Sequence, residues 1–469
     1  MAVLRACAAF ACAAVLSACA VGPDYRSPLP DAPAQAPFAS ADAAGFTAEE
    51  PPGEWWRLYD DPALGAAVAQ ALDANRDLAA AAANIARARA VLREARGARL
   101  PATSLSAGSS TGRQNIVGIS PPISFEDTIY NVGFDVSYQA DLFGRVRRAV
   151  EASRAEAEAV QAAYDVTRIT VAAETARAYA DACAAGFQLD VARDSVELQR
   201  RSYELTQRLL DAGRGTALDV SRAAAALEQT RAEIPALEAA RSSALYRLAV
   251  LMGRPPAEYP QAAADCTVSP TLSGQIPVGD GAALLKRRPD VRRAERDLAA
   301  ATAQVGVAVA ELYPSVSIGA AAGSVALSTS DLGASDASRW SIGPLLSWSF
   351  PNRTIARARV LQAQASAEAA LAAFDGVWLE ALRETETALS DYANELDRVE
   401  ALAAARDHSA DAARLANARF EAGQVSFLDV LQAELTLTGT EMALAESRSR
   451  LSTLQIALFL ALGGGWNVP

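Results

Sequence analysis

The chain has 469 residues, a hydrophobic fraction of 51% and a formal net charge of −12. Its length suggests two or three domains as a soft prior, and its acidity argues against nucleic acid, whose binding needs a basic face. With a single histidine, no metal-ligand spacing, no Gly-x-Ser-x-Gly elbow and no phosphate loop, the chain is not expected to be an enzyme or to carry a catalytic residue, metal or cofactor.

The N-terminus reads as a leader. Arg5 is basic, and Ala6 to Leu16 is an apolar run too short to span a bilayer. It ends in Leu16-Ser17-Ala18-Cys19, a lipobox, so residues 1–18 are expected to be removed as a signal peptide and Cys19 to carry lipid. Ala20 and Val21, not Asp, follow the cysteine, which leaves the outer membrane as the default destination. Cys7 and Cys12 leave with the leader. Cys183 and Cys266 remain, and the expectation is two free structural thiols, with a disulfide in the oxidising periplasm as the alternative. No run of the mature chain is long and apolar enough for a transmembrane helix, so a membrane crossing would use strands.

Residues 19–62 form an extended arm, with eight prolines between residues 20 and 62 and the pairs Asp24-Tyr25 and Trp55-Trp56. The chain then repeats itself. Leu210-Asp211-Ala212-Gly213 and Leu218-Asp219-Val220 recur as Phe420-Glu421-Ala422-Gly423 and Leu428-Asp429-Val430, an offset of 210 residues that also carries Gly253 onto Gly463. The repeats are assigned to 63–252 and 284–463, joined by a proline-rich connector at 253–283 and followed by a tail at 464–469. Each repeat reads as helix, two strands, a very long helix, a tight turn and a long helix. Arg145 to Leu210 and Arg353 to Glu421 contain no proline, and at 1.5 Å per residue each makes a rod of about 100 Å. Leu428, Leu431, Leu435, Thr438, Met442 and Ala445 are expected to form the packing stripe of the last helix.

The strands show period two. Tyr130, Val132, Phe134, Val136 and Tyr138 alternate with Asn131, Gly133, Asp135 and Ser137; Trp340, Ile342, Leu346, Trp348 and Phe350 alternate with mostly Ser and Gly. An apolar, aromatic face opposite a small or polar one is the pattern of strands between lipid and water. The weaker partner strands are placed at Ala102 to Ile116 and Ser315 to Leu327. Four strands cannot close a barrel, and an open edge in lipid costs several kcal/mol per unpaired group. The chain is therefore expected to oligomerise. Two copies would give eight strands and three would give twelve, and a conducting tube favours the larger number.

The duplicated plan, the Cys19 to Tyr25 start, the Trp55-Trp56 segment and the two Ala-Gly turns resemble the TolC-like outer-membrane efflux proteins; the lipobox points to the lipoprotein branch that resembles OprM. The resemblance implies an α+β membrane protein. It would be a homotrimer with a 12-stranded transmembrane β-barrel continuous with a 12-helix periplasmic α-barrel, in which each chain supplies four strands. It also implies a passive conduit for drugs or other small molecules, docked to a periplasmic adaptor (membrane fusion protein) and an inner-membrane RND-type transporter. A duct for type I protein secretion or metal-ion export is the alternative. By the same resemblance the turns at Gly213 and Gly423 are periplasmic tips that meet the adaptor. Asp219, Phe420, Val425, Leu428 and Asp429 are pore-constriction and entrance residues. Asp219 and Asp429 also suit helix N-termini on their own account. Val425 stands where a latch arginine would be, Phe420 replaces a latch tyrosine, and Gln432 replaces a second ring aspartate. Closure is thus expected to rest on packing, and the acidic ring on Asp429 alone.

Overall fold

The computed structural model describes residues 20–28, 32–41, 45–116, 123–272 and 274–464. The signal peptide, Cys19 and residues 465–469 lie outside the described residues. In chain order the elements are β1 (Phe46–Thr47), α1 (Pro62–Ala74), α2 (Arg76–Gly97), β2 (Ala102–Ile116), β3 (Ile123–Ala140), α3 (Arg145–Asp211), α4 (Ala217–Leu251), β4 (Ile276–Pro277), α5 (Gly281–Arg287), α6 (Pro289–Ala310), β5 (Ser315–Ala326), β6 (Ser338–Ser347), α7 (Thr354–Glu421) and α8 (Phe427–Ala461). The duplication is exact in length for two pairs of helices: α2 and α6 have 22 residues each, and α4 and α8 have 35 each. No helix among the described residues is long and apolar enough to cross a membrane.

The chain gathers into two compact units, each drawing on both repeats. One comprises Met1–Pro28, Asn84–Gln161 and Arg293–Phe374. Its sheet has the order β2-β3-β5-β6, all antiparallel, with Phe134 opposite both Leu105 and Ala322, and Ala322 opposite Trp340. Among the described residues no hydrophobic cluster is built on this sheet.

The second unit comprises Leu29–Ala83, Ala162–Arg292 and Asp375–Pro469 and holds the main core. Trp55 is fully buried and stacks on Phe459 with ring centroids 4.9 Å apart. The arm is therefore less extended than composition suggests: it turns at Ala32–Gln35 and Trp55–Tyr59 and adds β1 in parallel to β4. Arg287 Nε and Arg288 Nη1 donate to the carbonyls of Leu462 and Ala461, satisfying acceptors left over at the end of α8. Here the cysteine expectation is corrected. Cys183 and Cys266 form a disulfide with Cα atoms 4.7 Å apart. Packing brings them together: a side chain at Gly186, one turn beyond Cys183, would place its Cβ 2.3 Å from the Cys266 carbonyl oxygen.

The two longest helices, α3 and α7, are made possible by alanine, the best helix former, and by the absence of proline, whereas α4 carries Pro235 within it. Along α3 the buried positions Ala152, Ala155, Ala159, Ala162, Asp165, Ile169, Ala172, Ala176, Tyr179 and Cys183 follow a 3–4 spacing. Small residues there let neighbouring backbones approach closely.

Candidate functional site

The sheet presents two chemically opposed faces. Register puts Leu105, Phe134, Ala322 and Trp340 in one row, and Val136, Ala320 and Ile342 in the next. Leu105, Trp340 and Ile342 are each at least 70% exposed, an apolar face with nothing over it in a single chain. The other face carries Asn131, Asp135, Ser137, Gln139, Ser317 and Ser341, with Leu345 as an apolar exception. Among the described residues β2 pairs only with β3, and β6 only with β5, so each has one unpaired edge.

The helix turns lie in the second unit. Gly213 and Gly423 have φ of +68° and +71°, the left-handed conformation that ends helices. At the first turn Gly213 N–H donates to Leu210 O and Arg214 N–H to Leu209 O, at 2.9 and 2.8 Å; at the second, Gly423 N–H donates to Phe420 O and Gln424 N–H to Arg419 O, both at 2.9 Å. The same pair of bonds recurs 210 residues apart, so the repeated sequence encodes a repeated Schellman cap. Both glycines are exposed, with no heavy atom within 4 Å of a built Cβ.

Both aspartates serve helix N-termini. Asp219 N–H donates to Thr216 Oγ1 at 3.1 Å while the threonine hydroxyl donates to Asp219 Oδ2 at 2.6 Å, and Arg222 lies 3.9 Å from Oδ1. The Ser426 backbone N–H and hydroxyl both donate to Asp429 Oδ2, at 2.9 and 2.6 Å. Those bonds hold the Asp429 carboxyl below the ordinary carboxylate range.

Between the turns sits a small apolar cluster that joins the repeats: Ala223 and Ala226 of α4 with Phe427, Val430 and Leu431 of α8, backed by Tyr203, Ala416 and Phe420. Of the expected constriction residues, Phe420 joins this cluster and Val425 is half-buried, whereas Leu428 is 48% exposed. Leu435 is exposed as well, whereas Leu431 and Ala445 of the packing stripe expected for α8 are buried and Thr438 and Met442 are half-buried. The buried face also takes in Phe427, Val430, Glu434 and Leu444. Glu434 is the residue that periodicity misses. It is 2% exposed, accepting from Ser202 Oγ at 2.6 Å and Asn417 Nδ2 at 3.2 Å, and it ties α3, α7 and α8 together. A carboxylate in the middle of a packed face carries no signal in an apolar pattern.

The start of the described chain is held to the first unit. Val21 N–H donates to Phe143 O. The Arg148 guanidinium, nearly buried, reaches Asp24 at 2.6 Å and the carbonyls of Val21 and Gly22 at 3.4 Å. A Cβ at Gly22 would lie 2.5 Å from Gly306 Cα, so glycine meets glycine where the arm crosses α6.

The chain matches the family model described as outer membrane efflux protein over residues 67–254 and 282–464. It is 30% identical over 458 residues to outer membrane protein OprJ of Pseudomonas aeruginosa, covering 97% of this chain and 95% of that protein. It is also 30% identical over 461 residues to toluene efflux pump outer membrane protein TtgC of Pseudomonas putida, covering 96% of this chain and 94% of that protein. Among solved structures, the outer-membrane channel OprN superposes with a TM-score of 0.91 at 37% identity, covering 96% of this chain and 100% of that one.

Proposed function

The chain belongs to the outer membrane efflux protein family and is an outer-membrane efflux channel, not an enzyme; on that premise we propose that three copies close one 12-stranded barrel, which passively conducts small organic molecules delivered by an inner-membrane RND-type transporter through a periplasmic adaptor. The observation that carries the assembly is the pair of unpaired edges on β2 and β6. Backbone groups exposed to lipid are costly, and four strands are too few to hide them within one chain. The name of TtgC, a toluene efflux pump component, supports small apolar cargo over proteins or metal ions. Cys19, following a signal peptide at 1–18, is the lipid anchor in this reading. The repeats 63–252 and 284–463 each supply one strand pair and one helical hairpin.

In the same reading the turns at Gly213 and Gly423 are the adaptor-facing tips, and Asp219, Phe420, Val425, Leu428 and Asp429 line the constriction and its entrance. Exposed glycine turns support docking, since nothing in the chain covers them. The exposure of Leu428, on a helix that buries Phe427 and Val430, supports a role for it where copies meet about an axis. Native mass spectrometry of the purified full-length protein should give a trimer, and planar bilayers should show low resting conductance that rises severalfold in Val425→Gln and Leu428→Gln. A stable monomer sinks the assembly, and unchanged conductance in both variants moves the constriction elsewhere.

A further inference from the structure

At the end of β3 lies a pocket in which, among the described residues, two arginines outnumber one carboxylate. A pocket of about 350 Å³ is lined by Arg99, Tyr138, Asp141, Val146 and Arg147, among others. Arg99 closes the turn after α2, its N–H donating to Arg96 O, and Arg147 stands in the first turn of α3. Both arginines are exposed, and neither forms an ion pair among the described residues. The one carboxylate in the pocket is already engaged: Asp141 accepts the N–H groups of Val146 and Arg147 at 3.0 and 2.8 Å. A positive charge at a helix N-terminus opposes the helix dipole, and Asp141, bound to the first N–H groups of α3, offsets it there. Two guanidinium groups thus share one pocket with a single carboxylate, in a chain of net charge −12.

The surroundings identify the anion. Tyr138 lies opposite Ile318 in the apolar row, on the face that carries Phe134 and Trp340, so the pocket opens at the rim of the lipid-facing surface. Ala20 packs beside Gly144, where a Cβ would lie 2.8 Å from Ala20 Cα, which brings the N-terminal arm to the loop that leads into Arg147. In the proposed barrel the edge of β6 from a neighbouring copy would close against β2. The segment after β6, Asn352 to Arg359, carries Arg353, Arg357 and Arg359 and no carboxylate. We propose that Arg99 and Arg147, beneath Tyr138, bind the phosphate of a periplasmic-leaflet phospholipid and so fix the depth of the strands in the membrane. Two guanidinium groups suit a phosphate diester by charge-assisted hydrogen bonds, and the tyrosine has the amphipathic character of side chains at the membrane interface. The proposal rests on the outer-membrane reading above.

The test is native mass spectrometry of the full-length protein in neutral detergent, titrated separately with dioleoyl phosphatidylglycerol, dioleoylglycerol and inorganic phosphate. Phosphatidylglycerol should bind at one site per chain and dioleoylglycerol should not. Arg99→Gln and Arg147→Gln should each weaken it about tenfold, and Arg99→Lys should keep most of the affinity. Both arginines are exposed, so trimer mass and helical content should be unchanged in the variants. Wild-type affinity in the double Gln variant overturns the proposal. Competition by inorganic phosphate at equal concentration overturns the lipid assignment in favour of a free anion. Loss of lipid selectivity with the trimer intact sinks this site alone, whereas a stable monomer sinks the assembly on which it rests.

Discussion

Phe427 meets Phe420 edge to face across the second helix turn, ring centroids 6.0 Å apart and planes at 65°. The two rings belong to successive helices, and Phe427 also packs on Ala223 and Ala226 of the first repeat. This small cluster is where the two hairpins share apolar surface at their turns, and its loss should be felt at the constriction before it is felt in the fold. Phe427→Ala removes a buried ring and should cost about 3–5 kcal/mol locally. The readout is resting conductance in planar bilayers, expected to rise severalfold, together with increased uptake of large antibiotics by cells that express the variant. Phe420→Tyr keeps the ring contact and should leave conductance near that of the parent. Equal conductance in Phe427→Ala and the parent would show that the cluster does not hold the pore closed.

The disulfide gives a prediction about stability. Cys183 is fully buried in α3, and Cys266 lies in the connector, 83 residues away in sequence. Closing a loop of that length removes about 4–5 kcal/mol of unfolded-chain entropy in the chain-entropy model. Replacing both cysteines with alanine should therefore lower the midpoint of thermal unfolding, with conductance preserved below it. Gly186→Val should lower it too by a separate route, because its side chain would be driven into the Cys266 carbonyl. Differential scanning calorimetry with and without reductant separates the two: reductant should act on the parent and on Gly186→Val, but not on the cysteine-free variant. A double-alanine protein that melts with the parent would contradict a stabilising role.

Much of this architecture was legible because duplication supplies its own control. A motif seen once at Gly213 is a turn glycine; seen again at Gly423 with the same neighbours, it is a designed boundary. The strands were readable because lipid and water impose period two on Phe134, Val136 and Trp340, and the long helices because α3 and α7 contain no proline. What stayed hidden depends on which neighbours a residue meets. Leu428 and Leu435 of the expected α8 stripe lie off the buried face, since they are as apolar as Leu431 and only packing distinguishes them. Glu434 and the disulfide were invisible for a related reason. Neither the partners of a buried carboxylate on two other helices nor the convergence of two cysteines from distant segments leaves a trace in local spacing. The aspartates were ambiguous in sequence and turn out to be bound to their own helix caps, which does not remove their charge from the surface.

The same bonds set the pH behaviour expected of the proposed entrance. Asp429 is exposed, and its Oδ2 accepts from both the backbone and the hydroxyl of Ser426, which lowers its pKa. A carboxyl depressed on folding contributes helix stability above its unfolded pKa, about 3.9, and loses that contribution as pH falls through the lower folded value. The charge on Asp429 should persist to lower pH than that of an ordinary aspartate, and a ring of such carboxylates favours cations. Cation preference, read as reversal potential across a KCl gradient, should then survive acidification that would neutralise an ordinary aspartate. Asp429→Asn removes the charge but keeps an oxygen acceptor for Ser426, so it should abolish most of the preference with little change in thermal stability. Asp219→Asn should have the smaller effect, because Arg222 stands 3.9 Å from that carboxylate and already offsets part of its field. A preference that titrates near the ordinary carboxylate range, or that survives Asp429→Asn, would assign cation selection to other residues along the conduit.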